Sequence, residues 1–296
     1  MTVRARTVLV LVAVLAAIAL LGGVGLGRWI GDFALPGGWR GCTVELPDSM
    51  PGAGDGQLRR VSLDPEQMAN AATIAAIGVQ RRLPPRAVVV ALATGFQESK
   101  LRNLTGGDRD SVGLFQQRPS QGWGTVEQIS DTRYATNAFY AGLERVRGWQ
   151  DMRVTDAAQA VQRSAFPEAY EKWTDESQVL TAALLGEATG AVACTVTRDP
   201  VMRGAEATAA LTDNLRLDWG GLESLLPVPT TPSLSVPVEN PQAGWRYAHW
   251  LVSHATDHGV KRVTFGDQEW TAEGGSWSSI SDGDIETGRV MAEVFA

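Results

Sequence analysis

The residue whose type and surroundings most clearly suggest chemistry is Glu98, in the run G-F-Q-E-S-K-L at residues 95–101. If a helix ends here, Phe96 and Leu101 would shield the carboxyl group partly from water, and partial dehydration favours its protonated form. A carboxylic acid that keeps its proton near neutral pH can donate it to a glycosidic oxygen as the bond to the sugar breaks. The alternative is a solvated glutamate at a helix end, without a chemical role.

All three histidines of the chain lie far from this glutamate, at His249, His254 and His258. The region around the glutamate therefore lacks any dyad or triad that depends on histidine, which excludes most peptidase chemistry there. His254 and His258 are four residues apart with Asp257 between them, so they fall on one helix face, but no further ligand set accompanies them. The sequence predicts no metal site and no cofactor.

Composition and charge narrow the class of protein further. Apolar residues make up 44% of the 296 residues and charged residues 20%, which is enough apolar side chain for a folded core. The formal net charge is −7 and no basic block is longer than a pair, so the chain lacks the phosphate-neutralising surface that nucleic acids require. We therefore expect no nucleic-acid partner.

A second motif follows Glu98 in the chain. The run D-S-V-G-L-F-Q-Q at residues 110–117 places Gln116 of G-L-F-Q 18 residues after Glu98. Together, E-S and G-L-F-Q resemble the goose-type lysozyme and soluble lytic transglycosylase family. In that family the glutamate of E-S is the sole catalytic acid/base, and a G-L-M-Q-type segment lines the facing side of the sugar cleft. The resemblance covers roughly residues 60–190 and implies a lysozyme-like fold with peptidoglycan as the substrate.

The resemblance also assigns a role to a tyrosine. The third motif of the family, A-Y-N-A-G, supplies a tyrosine that hydrogen-bonds the catalytic glutamate. Its nearest counterpart is Tyr170 in S-A-F-P-E-A-Y-E-K-W, which lacks the following Asn and Gly. Longer runs, such as G-L-F-Q-Q-R-P-S-Q-G-W-G-T, resemble a wider group of anchored or secreted bacterial proteins that pair a lysozyme-like domain with a small C-terminal domain.

The step after proton donation depends on whether a second carboxylate takes part. Glycosidases with two carboxyl groups place them about 5 to 9 Å apart. The family that this chain resembles commonly uses one, and a group of the substrate completes the reaction. Asp108 and Asp110, on the loop after Glu98, are the candidates for a second carboxylate. If one of them holds a water, the outcome is hydrolysis; if neither does, attack by the muramyl C6 hydroxyl gives the anhydro product of a lytic transglycosylase.

Polar and aromatic side chains near the glutamate could contact sugars. Amide groups hydrogen-bond sugar hydroxyls, and the indole of Trp123, in the Gly-flanked run G-W-G, could stack on a sugar ring or simply pack the loop. The residues that we expect to bind substrate are Ser99, Gln116, Gln117, Trp123 and Tyr170.

Helical patterns surround these motifs. Asp64, Pro65 and Gln67 predict a capped helix start, and this helix should end near Arg82. The next helix should begin at Pro84-Pro85 and carry the glutamate at its C-terminal end. Further helices are expected over 132–147, over 156–165 after a Thr155 cap, and over 174–186.

The two cysteines of the chain, Cys42 and Cys194, flank the predicted helical region. In an oxidising compartment, a lone pair at the two ends of one domain is most simply explained by a disulfide. Two unlinked buried thiols are the alternative. We expect residues 58–196 to form a mainly α, lysozyme-like domain that this disulfide closes.

The first 30 residues suggest a membrane anchor. Arg4 and Arg6 precede residues 7–27, which carry no charge and would span roughly 30 Å as a helix. The positive-inside rule then leaves the N-terminus in the cytoplasm and the rest outside a bacterial cell membrane, as in a single-pass protein. A secretory signal peptide, with secretion after cleavage, is the competing interpretation.

Three further segments complete the predicted organisation. Residues 31–57 are rich in Gly and Pro and indicate a stem, and residues 197–241 indicate a Pro-rich linker. Residues 242–296 predict a small α+β domain, with a helix to Asp257 followed by two short strands around a turn at Gly266. The expected fold class is thus a mainly α, lysozyme-like domain plus an N-terminal transmembrane helix and a small α+β C-terminal domain.

Two functions from different classes are compatible with these patterns. The first is cleavage of peptidoglycan glycan strands, as a muramidase or lytic transglycosylase, with Glu98 as the single general acid/base. The second is non-catalytic peptidoglycan binding, or an envelope scaffold, that retains the lysozyme-like fold. The sequence favours the enzyme and does not identify protein partners.

Overall fold

The computed structural model describes residues 41–54, 58–196, 200–222, 232–280 and 286–296. They belong to one compact unit. The prediction of a mainly α fold is wrong, because the helices are accompanied by two antiparallel sheets and the fold is mixed α/β. The strands of one sheet come before and after the helical region in the chain, and the other sheet is formed by strands of the C-terminal part.

The elements follow one another in the chain as short helices and strands. The helices are α1 (Pro65–Gln80), α2 (Pro85–Ser99), α3 (Val126–Ile129), α4 (Thr132–Glu144), α5 (Val154–Gln162), α6 (Thr174–Leu184), α7 (Gly204–Trp219), α8 (Pro241–Ser253) and α9 (Ala255–His258). The strands are β1 (Cys42–Glu45), β2 (Arg60–Leu63), β3 (Val192–Cys194), β4 (Ser233–Pro237), β5 (Val260–Gly266), β6 (Gln268–Thr271), β7 (Trp277–Ser279) and β8 (Glu286–Val294). Turns of 3₁₀ helix lie at Pro119–Gln121, Trp149–Asp151 and Pro167–Trp173.

Helix α1 begins as the sequence predicts. The backbone N–H of Gln67 donates to Asp64 Oδ1 at 3.0 Å, and the N–H of Asp64 donates to Gln67 Oε1 at 2.9 Å. This capping box satisfies two donors at the helix start, with Pro65 at the first helical position. Helix α2 likewise starts at Pro85, so both predicted starts are confirmed.

The first sheet has the strand order β2-β1-β3, with both pairs antiparallel. Cys42 lies directly opposite Cys194 in this sheet, and a disulfide joins them across 152 residues of chain. The predicted disulfide is confirmed. It links the strand before the helices to the strand after them.

These strands explain why the fold-class prediction failed. Strand β1 falls within residues 31–57, where Gly and Pro indicated a stem, and β3 has only three residues. Strands this short contain too few residues for an alternation of apolar and polar side chains to be recognised in the sequence. The strands with which they form hydrogen bonds are also far away in the chain. The pairing is therefore a tertiary event that local patterns do not reveal.

The C-terminal part is a five-stranded antiparallel sheet with the order β4-β8-β5-β6-β7. Helix α8 packs on this sheet and also on α1, so the C-terminal part shares a hydrophobic core with the helical region. Helix α7 occupies much of residues 197–241, where a linker was predicted, because Ala207, Leu211 and Leu215 recur every four residues and are buried.

Asp218, near the end of α7, joins these parts by hydrogen bonds. Its Oδ2 accepts from Thr73 Oγ1 of α1 at 2.9 Å and from Trp250 Nε1 of α8 at 2.8 Å. Its Oδ1 accepts from Arg133 Nε of α4 at 2.5 Å. Three helices of the chain are therefore tied to α7 through one fully buried carboxylate.

The single-pass membrane assignment is corrected. Among the residues that the structure describes, no helix is both long enough and apolar enough to cross a bilayer. The longest of them, α1 and α7, have 16 residues, whereas a span needs about 20 apolar ones. Residues 7–27, on which the prediction depended, lie outside the described residues, as does the first part of the predicted stem.

Candidate functional site

The end of helix α2 fixes the position of Glu98. Lys100 and Leu101 both adopt left-handed backbone angles, with φ of 57° and 59°, and the N–H of Leu101 donates to Gly95 O at 3.0 Å. The chain thus turns back on the helix, and Leu101 becomes fully buried against it. A Cβ on Gly95 would lie 2.8 Å from Leu101 Cδ2, so the glycine of G-F-Q-E-S lets the turn close. Glu98 stands in the last helical turn, half-buried.

The 3₁₀ turn Pro167–Trp173 lies along this end of α2. Tyr170 Oη donates to Glu98 Oε1 at 2.7 Å, and Trp173 Nε1 donates to Gln97 Oε1 at 3.0 Å. A 3₁₀ helix has three residues per turn, so residues 170 and 173 project from the same face and reach two consecutive residues of α2. Two side-chain hydrogen bonds therefore hold the turn against the carboxyl group.

Helix α5 fixes the other side of that turn. Thr155 Oγ1 donates to Pro167 O at 2.5 Å, and the backbone N–H of Thr155 donates to Glu171 Oε2 at 3.3 Å. Thr155 was predicted to cap α5, but the helix begins at Val154 and the threonine is buried inside it. Its hydroxyl positions the tyrosine-bearing turn instead.

The phenol of Tyr170 remains a hydrogen-bond donor over the physiological pH range. Burial, and then the charge of Glu98, raise the pKa of Tyr170 well above its ordinary value, so the phenol stays protonated and stays a donor. Within the described ranges Glu98 has no other hydrogen bond and no ion pair. The phenol therefore holds one carboxyl oxygen, and the other has no hydrogen-bond partner among the described residues.

Aromatic stacking supports the same end of α2. The rings of Phe96 and Trp173 are stacked, with centroids 5.1 Å apart and planes 10° from parallel. Lys100 Nζ lies 4.2 Å from the centre of the Trp173 ring. Burial, and secondly the charge of Lys172, lower the pKa of Lys100. The indole is thus fixed by a stacked ring, a cation and the hydrogen bond to Gln97.

Ser99, predicted to bind substrate, is buried and has a positioning role. Its Oγ donates to Leu114 O at 2.7 Å, with a longer contact of 3.1 Å to Gly95 O. Leu114 and Phe115 of G-L-F-Q are fully buried, and Phe115 stacks on Phe139 with centroids 4.7 Å apart. The serine of E-S therefore ties the second motif to the helix that carries the glutamate.

The two glutamines of this motif lie in different environments. Gln116 has a left-handed backbone, with φ of 47°, and a half-buried side chain whose Nε2 donates to Gly113 O at 3.2 Å. Gln117 is buried, and its Nε2 donates to Ala135 O at 3.1 Å. Gln116 is accessible to a ligand, whereas Gln117 belongs to the interior.

Neither candidate for a second carboxylate has a described hydrogen bond or ion pair with Glu98. Asp110 accepts from Arg118 Nε at 2.8 Å and from the N–H of Ser120 at 2.7 Å. These bonds, with Arg118 first, hold the pKa of Asp110 well below its usual range, which makes it a weak base. The side chain of Asp108 is 89% exposed and lies 3.8 Å from Arg109 Nε.

Trp123 does not contact the glutamate directly. It is half-buried, and its ring lies in the wall of a cavity between the G-W-G loop, α4 and α5. Tyr134 Oη donates to Trp123 O at 3.1 Å and so fixes the loop on α4. The sequence-predicted residues thus divide into a group around Glu98 and a separate site around Trp123.

Sequence reasoning missed three residues that build the site. Gln97 and Trp173 form the second hydrogen bond between α2 and the 3₁₀ turn, and Gln162 Nε2 donates to Phe115 O at 2.8 Å. The spacing of three between Tyr170 and Trp173 in A-Y-E-K-W is the signal that could have indicated a shared face. Nothing local in the sequence indicates the contact of Gln162.

No group of three or more His, Cys, Asp or Glu side chains within the described residues is placed to hold a metal ion. His249 and His254 are buried in the C-terminal part, and His258 is half-buried. His249 Nδ1 is 2.8 Å from Ala183 O, and His254 Nδ1 is 2.9 Å from Trp250 O. In both histidines Nδ1 is thus engaged by a backbone carbonyl oxygen in the interior.

Comparison with known proteins does not assign a family. No protein-family model matches the chain, and no curated protein is significantly similar to it. The function is therefore inferred from the residues and geometry of the site around Glu98.

Proposed function

We propose that this protein cleaves the glycan strands of peptidoglycan, with Glu98 as the single general acid/base. The observation that carries the proposal is the hydrogen bond of 2.7 Å from Tyr170 Oη to Glu98 Oε1 at the end of α2. The resemblance to goose-type lysozymes and lytic transglycosylases, on E-S, G-L-F-Q and this tyrosine, supplies the substrate class.

Proton donation is the first chemical step. The phenol of Tyr170 holds Oε1 and thereby orients Oε2, which carries the proton to the glycosidic oxygen as the C1–O bond breaks. The leaving sugar retains that proton, and Glu98 becomes a carboxylate. Its hydrogen bond from Tyr170 then becomes charge-assisted and stronger, so it stabilises the transition state more than the ground state.

The second step uses the same carboxylate as a base. Asp110 is engaged by Arg118 and Ser120, which makes it a weak base, and the exposed Asp108 has only a long contact with Arg109, so neither is held in position to activate a water. We therefore favour attack on C1 by the muramyl C6 hydroxyl, whose proton passes to Glu98. The glutamate regains the proton that it gave, and the product has a 1,6-anhydro end, as in a lytic transglycosylase.

The residues around the carboxyl group have matching roles. Ser99 ties the G-L-F-Q segment to the helix that carries Glu98, and Gln116 adds a half-buried amide to that segment. Gln97 and Trp173 hold the tyrosine-bearing turn in place. Tight positioning of this kind matters because proton transfer needs hydrogen-bond distances between the acid and the leaving oxygen.

The test is digestion of purified peptidoglycan by the full-length protein in water enriched in ¹⁸O, with mass analysis of the released muropeptides. We expect unlabelled anhydro ends from the wild type and none from Glu98→Gln. Glu187→Gln is the matched control, since Glu187 is exposed and its side chain has no hydrogen bond or ion pair among the described residues.

Each other outcome has a defined meaning. Labelled reducing ends would mean that water, and not the C6 hydroxyl, attacks C1. The protein would then be a muramidase. Intact glycan with the wild type would contradict the proposal, and retained strand binding in both proteins would then favour a non-catalytic wall-binding protein.

A further inference from the structure

A cavity lies on the side of the helical region that carries Trp123. Its volume is about 560 Å³, within the range of roughly 300–1,000 Å³ that is common for ligand sites. The G-W-G loop and the ends of α4 and α5 form its walls. Its lining includes Gln121, Trp123, Gly142, Arg145, Gln162 and Arg163.

The two arginines give this cavity a positive charge. Arg145 follows the end of α4 and Arg163 follows the end of α5, so two helix ends bring both arginines to the lining of one cavity. Both side chains are exposed, and within the described part of the chain neither has an ion pair or a side-chain hydrogen bond. Since the chain as a whole has a net charge of −7, this is a local reversal of sign.

The indole of Trp123 supplies an apolar wall. A Cβ on Gly142 would lie 3.4 Å from Trp123 Cη2 and 3.0 Å from Val161 Cγ1, so the glycine makes room for the ring between α4 and α5. Aromatic rings bind the apolar faces of sugars, and guanidinium groups bind planar carboxylates through paired hydrogen bonds. The lining therefore suits a ligand that combines a sugar ring with a carboxylate.

A chain of contacts connects this cavity with the candidate catalytic site. Gln162, in the cavity wall, donates to Phe115 O at 2.8 Å. The neighbouring carbonyl of Leu114 accepts from Ser99 Oγ at 2.7 Å, and Ser99 follows Glu98 in α2. The G-L-F-Q segment is thus bonded both to the residue that follows Glu98 and to a residue of the cavity wall.

We propose that this cavity, here named the arginine cavity, binds the carboxylate-bearing muramyl units of the glycan strand. It would distinguish peptidoglycan from a neutral polymer of N-acetylglucosamine. The inference deepens the proposed function and rests on it, because it takes the glycan strand as the ligand. The carboxylate can come from the lactyl group of muramic acid or from an attached stem peptide.

Binding experiments without turnover test this proposal. The full-length protein with Glu98→Gln is titrated calorimetrically with three probes: chitohexaose, peptidoglycan strands stripped of stem peptides, and strands that keep them. We expect the further change Arg145→Gln with Arg163→Gln to weaken binding of the carboxylated strands about tenfold and to leave chitohexaose binding unchanged. Raised salt should reduce the difference between the variants.

Arg147→Gln is the matched control, because Arg147 is exposed and close in the chain but does not line the cavity. The single changes at Arg145 and Arg163 keep the test open if the double variant is poorly folded. Loss with stem-bearing strands alone assigns a stem-peptide carboxylate. Loss with stripped strands alone assigns the lactyl carboxylate, which is free only after the stem peptide has been removed, and loss with both means that the cavity accepts either group.

Three results would overturn the inference: unchanged affinity in the double variant, equal weakening of chitohexaose, or the same loss in Arg147→Gln. Failure of the proposed function is distinguishable from these results. A protein that binds carboxylated strands through the arginines but never cleaves them would refute catalysis and leave the arginine cavity intact.

Discussion

Glu98 and Asp218 are both carboxylates that the fold withdraws from water, yet their surroundings differ. Both oxygens of Asp218 are occupied, by Arg133, Thr73 and Trp250, and the side chain is fully buried. Glu98 is half-buried and has one hydrogen bond, from Tyr170. Burial raises the pKa of Asp218, while Arg133 and the two hydrogen bonds on Oδ2 act in the opposite direction.

This difference distinguishes a structural carboxylate from one that can react. Asp218 has no free oxygen with which to exchange a proton, and its partners come from three helices, so its contacts stabilise the assembly of α1, α4, α7 and α8. Glu98 has a free oxygen beside a fixed donor. Burial alone does not identify a catalytic acid; an unoccupied oxygen held in a defined orientation is the more specific feature.

The largest effect on stability is expected at Asp218. Asp218→Asn removes the charge that Arg133 faces and leaves Arg133 only its hydrogen bond to Asn214, so the free energy of unfolding should fall by about 3 kcal/mol. Urea denaturation measures this loss. Asp213→Asn is the control, because Asp213 lies on the same helix with a side chain that is 70% exposed, and surface pairs contribute about 0–1 kcal/mol. A loss below about 1 kcal/mol at Asp218 would mean that this buried carboxylate stabilises the fold no more than a surface ion pair does.

Acid should weaken the Asp218 region through His254. Burial lowers the pKa of His254 to about 4 from 6.5, so between these values the unfolded chain binds a proton that the folded protein does not. The unfolding free energy then falls as pH falls from 6.5 towards 4, by up to about 1.4 kcal/mol per pH unit. Burial lowers the pKa values of His249 and His258 to about 4 as well, so each of them adds to the slope. Denaturation at several pH values measures the slope, and His254→Gln should reduce it by the share of one histidine. An unchanged slope in that variant would contradict this origin.

A smaller effect is expected at the tyrosine that orients Glu98. Tyr170→Phe keeps the ring and removes the donor, so kcat/KM for glycan cleavage should fall about tenfold while the fold is retained. Tyr140→Phe is matched to it, because Tyr140 is also fully buried and its hydroxyl donates to Ile74 O at 2.9 Å. Equal activity of the two variants would mean that the hydrogen bond to Glu98 has no role in the reaction.

Part of this fold and site could be predicted from the sequence. The starts of α1 and α2 follow from Asp64, Gln67 and Pro85, which act on their own neighbours in the chain. The disulfide follows from there being only two cysteines. Such predictions succeed because the interactions are local or the choices are few.

Other features depend on contacts that the sequence does not display. Strand β1 is defined by its pairing with β3, far away in the chain, and α7 by its burial between two parts of the fold. Ser99 looked like a cleft residue from its motif, but the turn after α2 buries it and directs its hydroxyl to Leu114. The contact between Gln97 and Trp173 likewise exists only once the 3₁₀ turn has docked on α2.

The measurement that tests the central claim most directly is the rate of glycan cleavage by Glu98→Gln, on protein whose unfolding free energy equals that of the wild type. Loss of a general acid/base should reduce the rate by about 10²–10⁴-fold, with little change in stability because Glu98 has one hydrogen bond to lose. A rate close to that of the wild type, in a fully folded variant, would contradict the account.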